Sequence, residues 1–298
     1  MREKNPKIIV ILGPTATGKS DLAVKLAKKF DGEIISADSR QVYRGLDIGS
    51  GKITKKEMGG VPHYLIDIAN PKRKFSVAQY KKLADKKITE IHKIRKTPFI
   101  VGGTGFYIQA IVDNLILPEV KPNYKLRRQL ERKSAKELFI ILKKLDKDRA
   151  QEIERDNPRR LIRAIEIARE LGKVPKLKIK PKYATFQVGL KLPEKKLYEK
   201  IHKRLLKRMK NGMLSEARRL RRRGLAWKRL EALGLEYRYM ALYLQDIINE
   251  KEMLSKIETG SQRFAKRQMR WFKRDPRINW FSPNESRKIE KKVREFIK

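Results

Sequence analysis

The sequence predicts an α/β fold, in which a parallel sheet with flanking helices carries an inserted, mainly helical subdomain. Two observations predict the sheet: short apolar runs end in glycine or polar residues, and these runs alternate with helical patterns. A third observation predicts the insert, because residues 121–172 show only helical patterns and a heavy basic charge. We therefore expect a first core segment at residues 1–117, a helical insert at 118–183 and a second core segment at 184–298.

The first predicted strand, KIIVILG at residues 7–13, runs directly into the loop GPTATGKS, and a helical pattern follows. This loop matches G-x-x-x-x-G-K-S, in which backbone N–H groups surround phosphate oxygens, the lysine adds a point charge and the serine hydroxyl reaches Mg²⁺. The predicted phosphate-binding residues are Gly13, Pro14, Thr15, Ala16, Thr17, Gly18, Lys19 and Ser20, with Ser20 as the Mg²⁺ ligand. The pattern identifies this P-loop as a polyphosphate site and leaves open whether the polyphosphate is ATP.

Three further apolar runs, GEIISADS, HYLIDI and TPFIVGGTG, predict strands that continue the sheet. A long amphipathic helix is predicted between the last two, with apolar positions from Val77 to Ile94. In parallel sheets of this type, ligands bind beyond the carboxyl ends of the strands. The residues expected to converge on one crevice there are Gly13, Asp38, Asp67 and 102–105.

Two residues at the predicted strand ends are candidates for chemistry. Asp38 in SADSRQVYRG can be a turn or helix-capping residue, a Mg²⁺ ligand or a general base, and the pattern leaves all three open. Thr104 stands among three glycines in VGGTGFY, which suits either a tight turn or the close approach of a ligand.

The second core segment begins with an alternating strand pattern, TFQVGLKL, and continues with basic helices. In the helix LYEKIHKRLLKRMKNG, Arg204 and Arg208 fall on the apolar stripe, so they either extend past the edge of the core or face a charged site. The helix SQRFAKRQMRWFKRD has a basic face without an acidic residue, which favours phosphate binding over a plain solvated face. The cations of that face are Arg263, Lys266, Arg267, Arg270, Lys273 and Arg274.

The net charge indicates a polyanionic partner. The chain has 75 Lys and Arg against 34 Asp and Glu, a net charge of +41, and a solvated surface needs no such excess. Nucleic acid is the simplest partner, and an anionic membrane surface or a lysine-rich compositional bias are the alternatives.

Several classes of protein and site are excluded or disfavoured by composition. The absence of cysteine excludes disulfides and thiolate metal sites, and three scattered histidines argue against a zinc site. The sequence shows neither a signal peptide nor an apolar run of about 20 residues that could span a membrane. We therefore expect a cytoplasmic protein with no membrane contact. Because no long apolar surface pattern is left unexplained, we also expect a monomer.

The chain contains eight characteristic segments in the following order: GPTATGKS, SADSRQVYRGLDIG, HYLIDI, FSVAQY, VGGTGFY, NPRRLIRAIE, RMKNGMLSEA and KRQMRWFKRD. Together they resemble the tRNA dimethylallyltransferases, also called tRNA isopentenyltransferases, along nearly the whole chain. The resemblance implies transfer of a dimethylallyl group from its diphosphate, held with Mg²⁺ in the P-loop, to N6 of the adenosine just 3′ of the tRNA anticodon. It implies that Asp38 is the general base and that Lys19, Thr104 and Arg204 act at the diphosphate.

The resemblance also implies contacts with the anticodon stem-loop, whose target base is expected to leave its stack and enter the crevice. The implied tRNA-binding residues are Asp38, Ser39, Arg40, Gln41, Thr104, Arg127, Arg159, Arg160, Leu161, Ile162, Arg163, Lys266, Arg267, Gln268, Arg270, Trp271 and Lys273.

Three other functions would use the same features differently. A small-molecule kinase would hold ATP in the P-loop and have no use for the basic helix. A prenyltransferase that modifies free AMP would need the P-loop and Asp38 but neither the basic helix nor the charge of +41. A non-catalytic RNA-binding NTPase would use the P-loop as a switch.

Overall fold

A computed structural model describes residues 5–298 and contains one six-stranded sheet among them. Its strands, all parallel, are β1 (Lys7–Leu12), β2 (Gly32–Ala37), β3 (His63–Tyr64), β4 (Thr97–Gly102), β5 (Ala184–Leu190) and β6 (Ile278–Phe281). The strand order is β3-β2-β4-β1-β5-β6. The predicted α/β fold with a parallel sheet is confirmed.

The central strand β1 is buried on both faces, which explains its unbroken apolar sequence. Ile8, Val10 and Leu12 pack into one core cluster on one side of the sheet. Ile9 and Ile11 point the other way and pack into a second cluster. Strand β1 lies between β4 and β5, and the chain reaches β4 only after forming β2 and β3. The P-loop after β1 therefore opens where the strand order reverses, which is where such sheets bind ligands.

Helices surround this sheet. In chain order they are α1 (Lys19–Lys29), α2 (Lys55–Met58), α3 (Val77–Lys93), α4 (Gly105–Val112), α5 (Tyr124–Leu130), α6 (Ala135–Leu145), α7 (Lys147–Glu152), α8 (Pro158–Leu171), α9 (Glu194–Lys210), α10 (Met213–Arg222), α11 (Trp227–Ala232), α12 (Leu235–Tyr243), α13 (Glu250–Phe272) and α14 (Ser286–Ile297). Within residues 5–298, no helix combines the length and the apolar character needed to cross a membrane.

The chain divides into two compact units. The first comprises the residues up to Asn114 together with Pro181–Lys298, and the second is Leu115–Lys180. The second unit contains helices α5–α8 and has its own apolar core, built around Leu138, Leu142 and Leu161. Its limits differ by three residues at each end from the insert expected at 118–183. The unit thus begins and ends three residues earlier than expected, and its first and last segments pair at Ile116 and Lys178.

Two elements differ from the predictions. The run HYLIDI forms only a two-residue strand, because Leu65 and Asp67 adopt positive φ angles of 60° and 57° and leave the sheet. The basic helix begins at Glu250 rather than at residue 261. A capping box formed by Asn249 and Glu252 satisfies its first N–H groups.

Candidate active site

The P-loop has the tight backbone that its glycines allow. Gly13 has a φ of 141°, and a Cβ atom there would lie 2.5 Å from the carbonyl oxygen of Leu190. Gly18 adopts a left-handed conformation at the start of α1. The buried hydroxyl of Thr17 donates to the carbonyl of Pro14 at 2.9 Å and holds the loop closed. Beyond β1, the chain therefore presents backbone N–H groups and the N-terminus of α1 to a ligand.

Two cations at the P-loop repel each other. Burial, and then the charge of Arg204, lower the pKa of Lys19 to about 7. Burial, and then the charge of Arg208, lower the pKa of Arg204 to about 10. Within residues 5–298, neither Lys19 nor Arg204 has a carboxylate within ion-pairing distance. A bound anion would relieve this repulsion, so the site is suited to a polyphosphate.

The turn after Leu46 lies directly against Arg204 and Arg208. A Cβ atom on Gly51 would lie 1.5 Å from Nη2 of Arg208 and 2.7 Å from Nη2 of Arg204. Arg208 also donates to the carbonyl of Gly49 at 3.4 Å and pairs with Glu236 at 3.5 Å. Of the two alternatives for these arginines, the structure therefore favours a charged site over extension into solvent.

Asp38 follows β2 and lies within electrostatic reach of Lys19 and Arg204. Its negative charge raises the pKa values of both cations, although burial lowers them by more. Its Oδ1 atom accepts the backbone N–H groups of Arg40 at 2.8 Å and of Gln41 at 3.3 Å. Asp38 is therefore a turn residue, as one alternative held, and its carboxylate still faces the cations. Among the described residues, no hydrogen bond occupies its Oδ2 atom.

Thr104 joins the ends of β2 and β4. Its backbone N–H donates to the carbonyl of Ala37 at 3.1 Å, and its hydroxyl accepts the N–H of Ser39 at 3.0 Å. A Cβ atom on Gly103 would lie 3.6 Å from the carbonyl oxygen of Gly13. The structure thus brings together the loops after β1, β2 and β4, as the sequence predicts.

Asp67 does not join this group. Its carboxylate pairs with Lys52, whose ammonium also binds Asp47 at 2.6 Å. The backbone N–H of Asp67 still donates to the carbonyl of Gln41 at 3.2 Å, so only the side chain is directed elsewhere. The expectation for Asp67 is therefore wrong.

Two side chains that follow Asp38, those of Arg40 and Gln41, bind backbone carbonyls. Arg40 donates to Ala232 at 3.4 Å, and Gln41 donates to Gly51 at 3.3 Å. Both side chains are half-buried.

Helix α13 has an inner and an outer face. Gln268 is buried on the inner face, where it accepts the N–H of Thr15 and donates to the carbonyl of Gly103. Trp271 packs so closely on Gly105 that a Cβ atom there would lie 2.2 Å from its ring. The expectation that the side chain of Gln268 contacts tRNA is therefore corrected, because both ends of its amide form hydrogen bonds within the protein.

The outer face of α13 carries the basic residues, and all six are exposed. Lys266 pairs with Glu194 at 3.0 Å. Within the described part of the chain, the other five cations of this face have no carboxylate within 4.0 Å. A polyanion can therefore bind them without first displacing an internal ion pair.

The expected tRNA contacts in the second unit separate into two groups. Leu161 and Ile162 are 0% and 7% exposed and pack in the core of the unit, so the expectation for their side chains is wrong. Arg159 and Arg160 are exposed, and Arg160 pairs with Glu154 at 2.9 Å.

Arg127 and Arg163 both bind the buried carboxylate of Glu166. Arg127 approaches it at 2.6 Å, and Arg163 also donates to the carbonyl of Val120 at 3.0 Å. Burial raises the pKa of Glu166, but the hydrogen bonds from the two arginines outweigh this effect and lower it. Their first role is therefore to neutralise a buried acid.

Sequence reasoning missed Glu216. This residue of α10 is fully buried, and its carboxylate accepts the consecutive N–H groups of Asp47, Ile48 and Gly49 at 2.8, 2.8 and 3.0 Å. The hydroxyl of Tyr237 donates to it at 2.7 Å. Glu216 thus fixes the turn that lies against Arg204. The only sequence signal was an acidic residue at a position that falls on the apolar side of a helix.

The chain offers few ligands for a divalent cation. Ser20 is exposed at the start of α1, and within residues 5–298 no three His, Asp or Glu side chains converge. Such a donor set fits Mg²⁺, which usually keeps several waters and binds mainly to phosphate oxygens. It does not fit an ion that needs a complete cage of protein ligands.

Comparisons with known proteins agree with this geometry. A sequence profile of the family described as IPP transferase matches residues 41–275. The tRNA dimethylallyltransferase of Carboxydothermus hydrogenoformans is 41% identical, with 96% of each chain covered. That of Anoxybacillus flavithermus is 38% identical over 98% of this chain and 95% of its own.

Solved structures give the same result. The crystal structure of the tRNA isopentenylpyrophosphate transferase from Bacillus halodurans is similar with a TM-score of 0.75 and 36% identity, covering 98% of this chain and 97% of its own. A eukaryotic dimethylallyltransferase described as acting on tRNA has a TM-score of 0.77 at 27% identity, covering 89% of this chain and 69% of its own. The chain therefore belongs to the IPP transferase family, together with relatives named tRNA dimethylallyltransferases, and is a prenyltransferase of that family.

Proposed function

We propose that this protein transfers a dimethylallyl group from dimethylallyl diphosphate to N6 of the adenosine just 3′ of the anticodon in tRNA. The observation that carries the proposal is that Lys19 and Arg204 lie near Asp38 at the end of the sheet, while within residues 5–298 neither cation has a carboxylate within ion-pairing distance. This arrangement pairs an anion-binding pocket with a carboxylate at one crevice.

The cations bind and stabilise the leaving group. As the bond between the allylic carbon and oxygen breaks, negative charge grows on the bridging oxygen of the diphosphate. Lys19, Arg204 and the N–H groups of the P-loop that bind no protein acceptor would stabilise this charge. In the free protein the ammonium of Lys19 donates to the carbonyl of Pro14 at 2.5 Å, so it would exchange this partner for the diphosphate. The hydroxyl of Thr104, at the neighbouring strand end, is in the same crevice.

Asp38 removes the proton from the attacking amine. The N6 amine of adenine is a weak nucleophile because its lone pair is delocalised into the ring. Loss of a proton to a carboxylate as the new C–N bond forms lowers this barrier. Oδ1 of Asp38 is held by two backbone N–H groups, which leaves Oδ2 to accept the proton.

We propose Mg²⁺ as the cofactor, held by the hydroxyl of Ser20 and by the diphosphate itself. The ion would supply further neutralisation of charge on the leaving group. The exposure of Ser20 and the small number of nearby carboxylates support a site that is completed by the substrate.

The tRNA is held by its backbone and read at its loop. The exposed cations of α13, with Arg159 and Arg160, provide contacts to phosphates. A base that is stacked in the anticodon loop cannot reach Asp38, so we expect it to be flipped into the crevice.

Radiolabelled dimethylallyl diphosphate tests the proposal when it is incubated with tRNA, with AMP, or with neither. We expect label in tRNA alone. Label in AMP would favour a prenyltransferase of free nucleotides. Brisk hydrolysis of ATP without transfer of the label to any acceptor would favour a kinase or an NTPase.

A further inference from the structure

We propose that Gln268 is a positioning residue, which sets the P-loop against the strand ends that carry Asp38 and Thr104. It acts on diphosphate binding and on the transfer step, and it does not hold tRNA. This inference rests on the proposed function, but its central measurement is the binding of diphosphate.

The amide of Gln268 bridges two loops. Its Oε1 atom accepts the backbone N–H of Thr15 at 2.9 Å, and its Nε2 atom donates to the carbonyl of Gly103 at 2.8 Å. A backbone N–H can only donate and a carbonyl can only accept, so the partners fix the orientation of the amide. The side chain is 7% exposed, and an unmade hydrogen bond there would have no water to replace it.

The amide of Gln268 packs closely on the segment after β4. A Cβ atom on Gly103 would lie 2.4 Å from Nε2 of Gln268. One turn further along α13, Trp271 packs on Gly105 and against Phe106 with its ring nearly perpendicular. The inner face of α13 is thus seated on the segment that connects β4 to α4.

The contacts extend from this bridge to the proposed base. Gly103 precedes Thr104, whose hydroxyl accepts the N–H of Ser39, the neighbour of Asp38. On the other side, the N–H of Thr15 is directed at Gln268, which fixes the peptide that begins the P-loop. One amide therefore links the loop for the leaving group with the loop for the nucleophile.

Gln268 is buried on the inner face of α13, whereas the basic residues of the same helix are exposed on its outer face. Arg267 is the preceding residue, is exposed, and has no carboxylate partner within residues 5–298. The two neighbours thus form a matched pair, one directed at the loops and the other at the solvent.

The first experiment compares Gln268→Met with Arg267→Gln in the full-length protein. Methionine keeps the volume of the side chain and removes both hydrogen bonds. For Gln268→Met we expect affinity for inorganic diphosphate with Mg²⁺, and the single-turnover transfer rate at saturation, to fall at least about tenfold, since small misplacements can cost up to ~10²-fold. Its dissociation constant for tRNA should stay within about twofold, whereas Arg267→Gln should weaken tRNA binding and leave the affinity for inorganic diphosphate with Mg²⁺ within about twofold.

The second variant, Gln268→Glu, guards against a general loss of packing. An ionised carboxylate can accept the N–H of Thr15 but repels the carbonyl of Gly103. A protonated carboxyl can make both hydrogen bonds, as the amide does. We therefore expect the transfer rate of Gln268→Glu, divided by that of the wild type, to rise as the pH is lowered. A purely structural role would not produce this recovery.

Weaker tRNA binding by Gln268→Met, with unchanged affinity for diphosphate, would overturn the inference and return Gln268 to the RNA surface. So would a rate ratio of Gln268→Glu that does not change with pH. If the wild type binds diphosphate but transfers nothing, the proposed function fails, while the diphosphate measurement still decides the role of Gln268.

Discussion

Lys19 shows how a single residue links charge to ligand binding. Burial and Arg204 lower its pKa to about 7 in the free protein. A bound diphosphate favours the ammonium form and raises this pKa again, so binding should take up a proton. Affinity for diphosphate should then fall as the pH rises above about 7, by at most about tenfold per pH unit for one proton.

Calorimetry in two buffers of different ionisation enthalpy measures this proton uptake. The ionisation of diphosphate itself contributes equally in a Lys19→Met variant, which therefore serves as the control. The difference between the two proteins between about pH 7 and 9 should approach one proton. Equal uptake by both proteins would contradict the assignment of the proton to Lys19.

The same shift has a consequence for stability. The pKa of Lys19 lies below its ordinary value of 10.5 in the folded chain, so the unfolded chain binds more protons between about pH 7 and 10.5. Its contribution therefore makes the folded state more stable as the pH rises through that range.

Asp38→Asn separates a base from a residue that only shapes the turn. Asparagine keeps the size of the side chain and can still accept the N–H groups of Arg40 and Gln41, but it cannot take a proton. Removal of a general base typically costs ~10²–10⁴ in rate, so the single-turnover transfer rate should fall by that amount. Affinities for tRNA and diphosphate should change less than about tenfold, or ~1.4 kcal/mol.

Weaker binding of diphosphate by Asp38→Asn would indicate that Asp38 is a Mg²⁺ ligand. If Asp38 binds Mg²⁺, the variant should bind diphosphate weakly and recover partly at high Mg²⁺, because a neutral amide is a poor ligand for a hard cation. A transfer rate within about fivefold of the wild type would remove Asp38 from the chemistry.

The role of Glu216 depends on the hydrogen bonds that its buried carboxylate accepts from three backbone N–H groups and from Tyr237. In Glu216→Gln, an amide N–H₂ would replace one of the oxygens that accept the N–H groups of Asp47, Ile48 and Gly49. At least one buried donor would lose its partner, at a cost of about 1–3 kcal/mol in the free energy of unfolding.

Urea unfolding measures this cost, with Glu199→Gln as the matched control. Glu199 is exposed on α9 and has no ion pair within the described residues, so its change should stay within about 0.5 kcal/mol. Equal stability of the two variants would show that the Glu216 hydrogen bonds do not hold the turn.

At the scale of elements, the sequence predicts the inner strands and the long amphipathic helices because their patterns are local. The alternating contacts of β1 with two core clusters follow directly from its apolar run. Strand β6 was not predicted, since INWF is short and depends on β5 beside it. The start of α13 at Glu250 was not predicted, although the capping box of Asn249 and Glu252 is a local sequence signal.

Residue roles were harder to predict than elements. Helical spacing places Leu161 in a core, yet family resemblance suggested an RNA contact, and burial decides for the core. Gln268 and Glu216 bind partners 253 and 169 residues away in the sequence, a kind of contact that no local pattern encodes.

The outer face of α13 makes a prediction about salt. Replacing Arg263, Arg270 and Arg274 with glutamine removes three exposed cations that have no carboxylate partner in residues 5–298. Because bound phosphates release counterions, the slope of log affinity for tRNA against log salt should flatten by about one unit per lost contact. Affinity for diphosphate should change little.

A control with the same change in charge uses α14. Arg287, Lys291 and Lys292 are exposed there and have no ion pair among the described residues. Their replacement with glutamine should leave the slope nearly unchanged. Equal flattening in both triple variants would mean that tRNA responds to overall charge and not to α13.

At the scale of the whole molecule, the charge of +41 and the P-loop carry different information. The charge indicates a polyanion without locating it, and the P-loop locates a polyphosphate without naming it. The structure adds that Lys19, Arg204 and Asp38 come together at the carboxyl end of one sheet.

The most direct test of the account is to identify the modified atom. Unmodified tRNA is incubated with dimethylallyl diphosphate, digested to nucleosides and analysed by mass spectrometry, beside a tRNA that carries purine riboside in place of the adenosine 3′ of the anticodon. We predict a dimethylallyl group on N6 of that adenosine and no product from the purine riboside tRNA, which lacks the amine. A prenylated product at another nucleoside, or equal product from both tRNAs, would contradict the account.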